Sequence, residues 1–132
     1  MRLVLSALLL AGSTPVAAQS VAVATSSGGP HSRTSVTVTA AFGQPVRINQ
    51  MVYRPVAIVQ DSRCPANVNC VWAGQLIVEF ATAGRNRVRL EMGKPLVIAG
   101  GRLTLLGASP QPIAGKPIPP NQYRFQLRFE RP

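Results

Sequence analysis

Tyr123-Arg124-Phe125-Gln126-Leu127-Arg128-Phe129-Glu130 decides the fold. Tyr123, Phe125, Leu127 and Phe129 occupy one parity of this stretch, and Arg124, Gln126, Arg128 and Glu130 the other. Successive side chains of a strand point to opposite faces, so a strict period of two describes a strand with one buried and one wet face. Working back along the chain, Val88, Leu90 and Met92 alternate with Arg87, Arg89 and Glu91 in the same way. Val36 and Val38 stand between Ser and Thr residues in Ser35 to Ala40, and Val46 and Ile48 flank Arg47. Val52 to Gln60 and Leu76 to Phe80 are more continuously apolar, which predicts strands central in a sheet or covered on both faces.

Between these runs lie turn signals. Gly100-Gly101 separates Pro95 to Ala99 from Arg102 to Leu106 and predicts a two-residue hairpin. Ala83-Gly84-Arg85-Asn86 marks another turn, and Gly107 to Asn121, with five prolines, reads as a long stiff crossover into the last strand. Outside the N-terminus no window of helical length carries an i, i+3, i+4 apolar pattern. Seven or eight short strands therefore predict an all-β fold, a single antiparallel β-sandwich, Ig-like or small and barrel-like.

The N-terminus has a different composition. One charge at Arg2, an apolar run from Leu3 to Ala11, and small residues at Val16-Ala17-Ala18 have the pattern of a secretory signal peptide over 1–18, cleaved after Ala18. Residues 19–33 are small, polar and turn-rich and read as a flexible leader, and 34–132 as the β domain, large enough for one core. The expected location is periplasmic or secreted, with no transmembrane segment in the mature chain. Ser13 stands where the acylated cysteine of a lipoprotein box would be, so no lipid anchor is expected.

The chain has 14 basic and 4 acidic residues, a formal net charge of +10. Such an excess attracts polyanions: lipid headgroups, lipopolysaccharide, acidic glycans or nucleic acid. Export argues against nucleic acid. The two cysteines, Cys64 and Cys70, are expected to form a disulfide in that compartment. Closing so short a loop stabilises by only about 2 kcal/mol on the chain-entropy model, a local staple. One histidine, His31, and two cysteines fall short of a structural zinc site, and no cofactor motif is present.

The staple lies in the densest cluster of rare residues: Asp61-Ser62-Arg63-Cys64-Pro65, then Cys70, then Trp72-Ala73-Gly74. Asp61 and Ser62 suit a turn, Arg63 a pairing with Asp61 or a carbonyl, and Pro65 tightens the loop. Trp72 is expected to enter the next strand as a core anchor packed on the disulfide, with Gly74 allowing a bend or close approach. This motif resembles one in an uncharacterised family of small bacterial exported proteins and lipoproteins, over about Gly43 to Phe129. The resemblance implies an exported β domain and carries over no catalytic residue.

The carboxylates offer little for acid–base chemistry. Glu91 and Glu130 sit among arginines on wet faces, in surface ion pairs worth under about 1 kcal/mol each. A hydrolase using Glu79 and Asp61 is the enzymatic alternative, but the expectation is a non-enzymatic domain with no metal site. Arginine is the candidate binding chemistry: Arg85, Arg87 and Arg89 share one parity, and Arg124 and Arg128 another, with Arg47 and Arg102 similarly placed. On neighbouring strands these would form one patch for phosphate or carboxylate on an anionic envelope component. A protein-interaction module that docks another envelope protein through an edge strand is the alternative.

Overall fold

The structure, a computed structural model, describes residues 33–132. Residues 1–18, expected as a signal peptide, and residues 19–32 of the expected leader, His31 among them, lie outside the described residues. Eight strands follow one another: β1 Ser35–Ala41, β2 Val46–Ile48, β3 Met51–Asp61, β4 Leu76–Ala81, β5 Arg87–Glu91, β6 Pro95–Ile98, β7 Gly101–Ser109 and β8 Arg124–Glu130. They form two antiparallel sheets of four strands, ordered β1-β8-β7-β6 and β2-β3-β4-β5. The sheets are not joined into a barrel, so the architecture is a β-sandwich. Among the described residues the helical content is a single 3-10 turn, Pro120–Gln122, and no helix is long and apolar enough to cross a membrane.

The alternation of β8 becomes packing. Phe125 and Leu127 are fully buried, Tyr123 and Phe129 nearly so. They face Leu76, Val78 and Phe80 of β4, all with no exposed surface. Phe80 meets Phe125 edge-on at 6.1 Å between centroids, and Tyr123 stacks on Phe125 at 5.6 Å. Each such side chain removed from water contributes about 1.5–3 kcal/mol. The core is thus filled by β8 and β4 with Tyr53, Leu90, Leu103 and Leu105.

Three readings change in the folded chain. β3 and β4 are central in their sheet, but their outer face is open and carries the exposed Arg54. The apolar continuity of β3 comes from two register shifts, between Pro55 and Ala57 and between Ile58 and Gln60, which interrupt the parity. Pro55 is tolerated because β2 ends at Val46 opposite Tyr53, so no neighbour on that side needs its missing N–H. The glycine hairpin forms one residue earlier than expected: Ile98 pairs with Gly101, leaving Ala99-Gly100 as the turn. The proline-rich segment does not cross over, since β7 and β8 are adjacent and antiparallel, with Ser109 opposite Arg124.

Candidate functional site

Asp61 ends β3 with its side chain turned inward, because its cross-strand partner is the buried Leu76. Arg63 folds back onto it. Nε donates to Oδ1 at 2.8 Å and Nη2 to Oδ2 at 2.8 Å, a two-pronged pairing whose side chains are only 9% and 10% exposed. The Tyr123 hydroxyl donates to the same Oδ2 at 2.7 Å. The remaining Arg63 donors reach the carbonyls of Ala108 and Pro110, so one guanidinium ties the end of β3 to the end of β7. Burial works against the Asp61 charge, but the hydrogen bonds from Arg63 and Tyr123 and the adjacent positive charge outweigh it, and its carboxyl is held below the ordinary range. Burial and the bond to Asp61 push the Tyr123 phenol up to about 12.

Residues 62–75 leave the sandwich above this lock. Their neck is closed by the Ser62 N–H donating to the Gln75 carbonyl at 2.7 Å and the Gln75 N–H to Ser62 Oγ at 2.9 Å. Gly74 makes that approach feasible. Its φ is +74°, and a Cβ there would stand 1.8 Å from the Ser62 carbonyl oxygen, so no other residue fits without opening the neck. Cys64 and Cys70 form the disulfide, with Cα atoms 5.8 Å apart. Within the loop it closes, the Ala66 N–H donates to the Pro112 carbonyl at 2.8 Å and Asn67 Oδ1 accepts from the Ala114 N–H at 2.9 Å, fastening the loop to the proline-rich segment.

Trp72 is not a core anchor. Its residue is 82% exposed and its neighbour Val71 92%. β4 begins only at Leu76, and the neck at Ser62 and Gln75 holds Trp72 outside the sandwich, whose interior β8 already fills. The disulfide lies in the same projecting loop and offers no core to pack against. Asp61, Arg63, Cys64, Cys70 and Gly74 do act together in pinning the turn, while Pro65 supplies a carbonyl to the Val68 N–H.

The arginines do not make one patch. Arg87 and Arg89 stand on β5 and Arg124 and Arg128 on β8, in opposite sheets. Arg85 belongs to the turn before β5. Glu79 accepts from Arg87 Nη1 at 3.0 Å and from Arg89 Nε at 3.1 Å, bonds that hold its carboxyl below the ordinary range. On the other sheet Arg124 donates to the Asn121 and Tyr123 carbonyls. Arg128 lies 3.6 Å from Glu130, its Nε buried with no hydrogen-bond partner among the described residues.

A different grouping forms on the outer face of β3-β4-β5. Arg54 pairs across with Ala81, and Ala81 with Arg87, so the small alanine lies between two arginines. Two strand spacings set them about 10 Å apart at the backbone. Over Ala81 and Gly84 sit two adjoining depressions of about 340 and 310 Å³, one walled by Arg54 and the other by Arg85 and Arg87, neither lined by a carboxylate. Arg54 was missed in the sequence because it sits in the apolar run from Val52. The available signal was the cross-strand row that Arg54, Ala81 and Arg87 make once β3, β4 and β5 are paired. Among the described residues no three His, Cys, Asp or Glu side chains gather into a metal-binding group.

Fold and loop together define a small, basic antiparallel β-sandwich with one disulfide-pinned projecting loop. No protein-family model matches the chain, and no curated protein or solved structure matches it either.

Proposed function

We propose that this chain is a non-enzymatic, exported binding domain of the cell envelope that holds an anionic ligand in the cup over Ala81, between Arg54 and the Arg85–Arg87 edge. The observation that carries this reading is the cup itself: two adjoining depressions, one walled by Arg54 and the other by Arg85 and Arg87, with no carboxylate in their lining, and with Arg87 shared with Glu79 while Arg54 and Arg85 make no ion pair among the described residues. Planar guanidinium forks suit phosphate and carboxylate oxygens. Their separation favours a ligand with more than one anionic group, such as a diphosphate or an acidic polysaccharide. Support for a non-catalytic role comes from the carboxylates. Asp61 is occupied by Arg63 and Tyr123, and Glu79 by Arg87 and Arg89. Both are held ionised, which unfits them as general acids near neutral pH and makes them weak bases.

The test is a titration with inorganic diphosphate and, separately, with polygalacturonate fragments, followed by amide chemical shifts at low and high salt. Arg54→Gln/Arg85→Gln should weaken binding by about tenfold or more, as expected for losing charge-assisted contacts. The charge-matched variant Arg102→Gln/Arg124→Gln, on the other sheet, should lose far less. Equal losses in the two variants would mean diffuse attraction to a basic protein and would remove the cup from the account.

A further inference from the structure

A second binding surface lies at the other end of the sheet and does not depend on the cup. We infer that the loop of residues 62–75 is an interfacial anchor that inserts Val71 and Trp72 into the headgroup region of an anionic bilayer. Large apolar side chains at this exposure cost solubility and contribute nothing to the core. Half-exposed Val68 and Ile113 flank them on the two loops that the Ala66–Pro112 and Asn67–Ala114 hydrogen bonds hold together. The result is a projecting apolar tip on a frame fixed by a disulfide, a closed neck and the Arg63 fork. Such a tip presents its tryptophan with little ordering left to lose.

The surrounding charge selects the occupant. Residues 62–75 and 110–122 contain no carboxylate, and the two carboxylates that reach the base of the loop, Asp61 and Glu91, are neutralised by Arg63 and Lys94. Both lysines of the chain lie at this end: Lys94 is paired with Glu91 at 2.8 Å, and Lys116 stands on the proline-rich segment with no carboxylate paired to it among the described residues. Lys116 bridges to Ile113, and the turn bearing Lys94 is placed here by the Met92 N–H bonding the Leu76 carbonyl. An amphipathic indole beside aliphatic side chains and a flexible ammonium group is the combination that settles at a membrane–water interface. The whole-chain charge of +10 adds long-range attraction to anionic lipid. A convex tip also suits a deformable interface, which needs no matching pocket.

Trp72 is the single tryptophan, so its emission reports on the tip alone. The protein without residues 1–18, whose apolar run would itself enter lipid, is mixed with vesicles of phosphatidylcholine containing phosphatidylglycerol, and with phosphatidylcholine vesicles as the neutral arm. On the anionic vesicles the emission should shift to the blue, become shielded from iodide and be quenched by lipids brominated near the top of the acyl chain. Val71→Ser/Trp72→Ala should bind these vesicles at least about tenfold more weakly in sedimentation, because the apolar contribution to interfacial binding is lost. Its melting temperature should stay that of the wild type, since both side chains touch no core. Arg54→Gln/Arg85→Gln should keep the blue shift, which separates failure of the cup from failure of the anchor. Sedimentation with vesicles but no blue shift, or equal binding by the loop variant, would reduce the contact to surface charge and overturn the anchor, as would the absence of any binding.

Discussion

Replacing Arg63 with methionine keeps most of the side-chain volume and removes the guanidinium from beneath Asp61. The carboxylate then retains only the Tyr123 hydroxyl and the Arg63 backbone N–H as donors, while the Ala108 and Pro110 carbonyls lose theirs. Breaking a buried pair from one side costs about 3–5 kcal/mol, because the surviving charge stays desolvated. The pair lies at the mouth of the sandwich, and its Pro110 contact faces water, so about 3 kcal/mol is the appropriate figure. For a domain of this size that lowers the melting temperature by roughly 10–25 °C. Asp61→Asn should cost less, since asparagine still accepts from Arg63. The double variant should cost less than the sum of the two single changes, with a coupling of about 1–3 kcal/mol.

Acid supplies an independent signature. The Asp61 carboxyl ionises more readily in the folded protein than in the unfolded chain, so its stabilisation is fully present above the unfolded value of about 4 and is lost as pH falls through the lower folded value. Asp61→Asn should remove that part of the acid limb. Urea titration followed by far-UV circular dichroism between pH 7 and pH 2 is the suitable assay. Tryptophan emission is a poor probe of unfolding because Trp72 is already in water when the chain is folded. An Arg63→Met variant within about 1 kcal/mol of the wild type would refute the assignment of the pair as a buried clamp.

Two further outcomes follow from the same end of the molecule. Gly74→Ala should open the loop neck, through the positive φ and the approach to the Ser62 carbonyl, at a cost of about 2–4 kcal/mol; amide exchange at Ser62 and Gln75 measures it, and unchanged protection would count against the packing described. In alkali, the Tyr123 phenol, ordinarily near 10 and here about 12, favours the folded state below pH 10 and loses that contribution as pH rises towards 12. Tyr123→Phe should flatten this loss, leaving the smaller share from buried Tyr53, and an unaltered alkaline limb would contradict it.

How far the sequence carried the fold depended on whether each signal was local. The parity of β8 is local and survives intact, because one face meets the core along its whole length. The pairing of Arg63 with Asp61, two residues away, was legible for the same reason. Register shifts in β3 hid Arg54, since parity cannot be followed through a bulge without the partner strand. Arg87, Arg89 and Arg124 face outward while Arg85 falls in a turn, and parity assigns a face and not a sheet. Only the long-range order β1-β8-β7-β6 and β2-β3-β4-β5 separates Arg124 and Arg128 from Arg87 and Arg89. Trp72 failed for a related reason. A tryptophan near a disulfide invites burial, but burial requires room, and the aromatic side chains of β8 had already taken it.

The use of the four acidic residues links these features. Asp61 binds Arg63, Glu79 binds Arg87 and Arg89, Glu91 binds Lys94 and Glu130 lies against Arg128. Every carboxylate is therefore matched within the domain, and Arg54 and Arg85 at the cup lie among the unmatched surplus of positive charge. β4 runs from Leu76, beside the neck of the Trp72 loop, to Ala81 at the floor of the cup. The five residue steps from Leu76 to Ala81 separate the two places by about 17 Å. A domain resting on a bilayer through Trp72 would thus hold its cup away from the lipid surface. Lipid phosphates of the same leaflet could not then occupy the cup while the anchor was engaged. An extended acidic polymer outside the bilayer could, which makes the polygalacturonate arm of the titration the one that joins both surfaces in a single working arrangement.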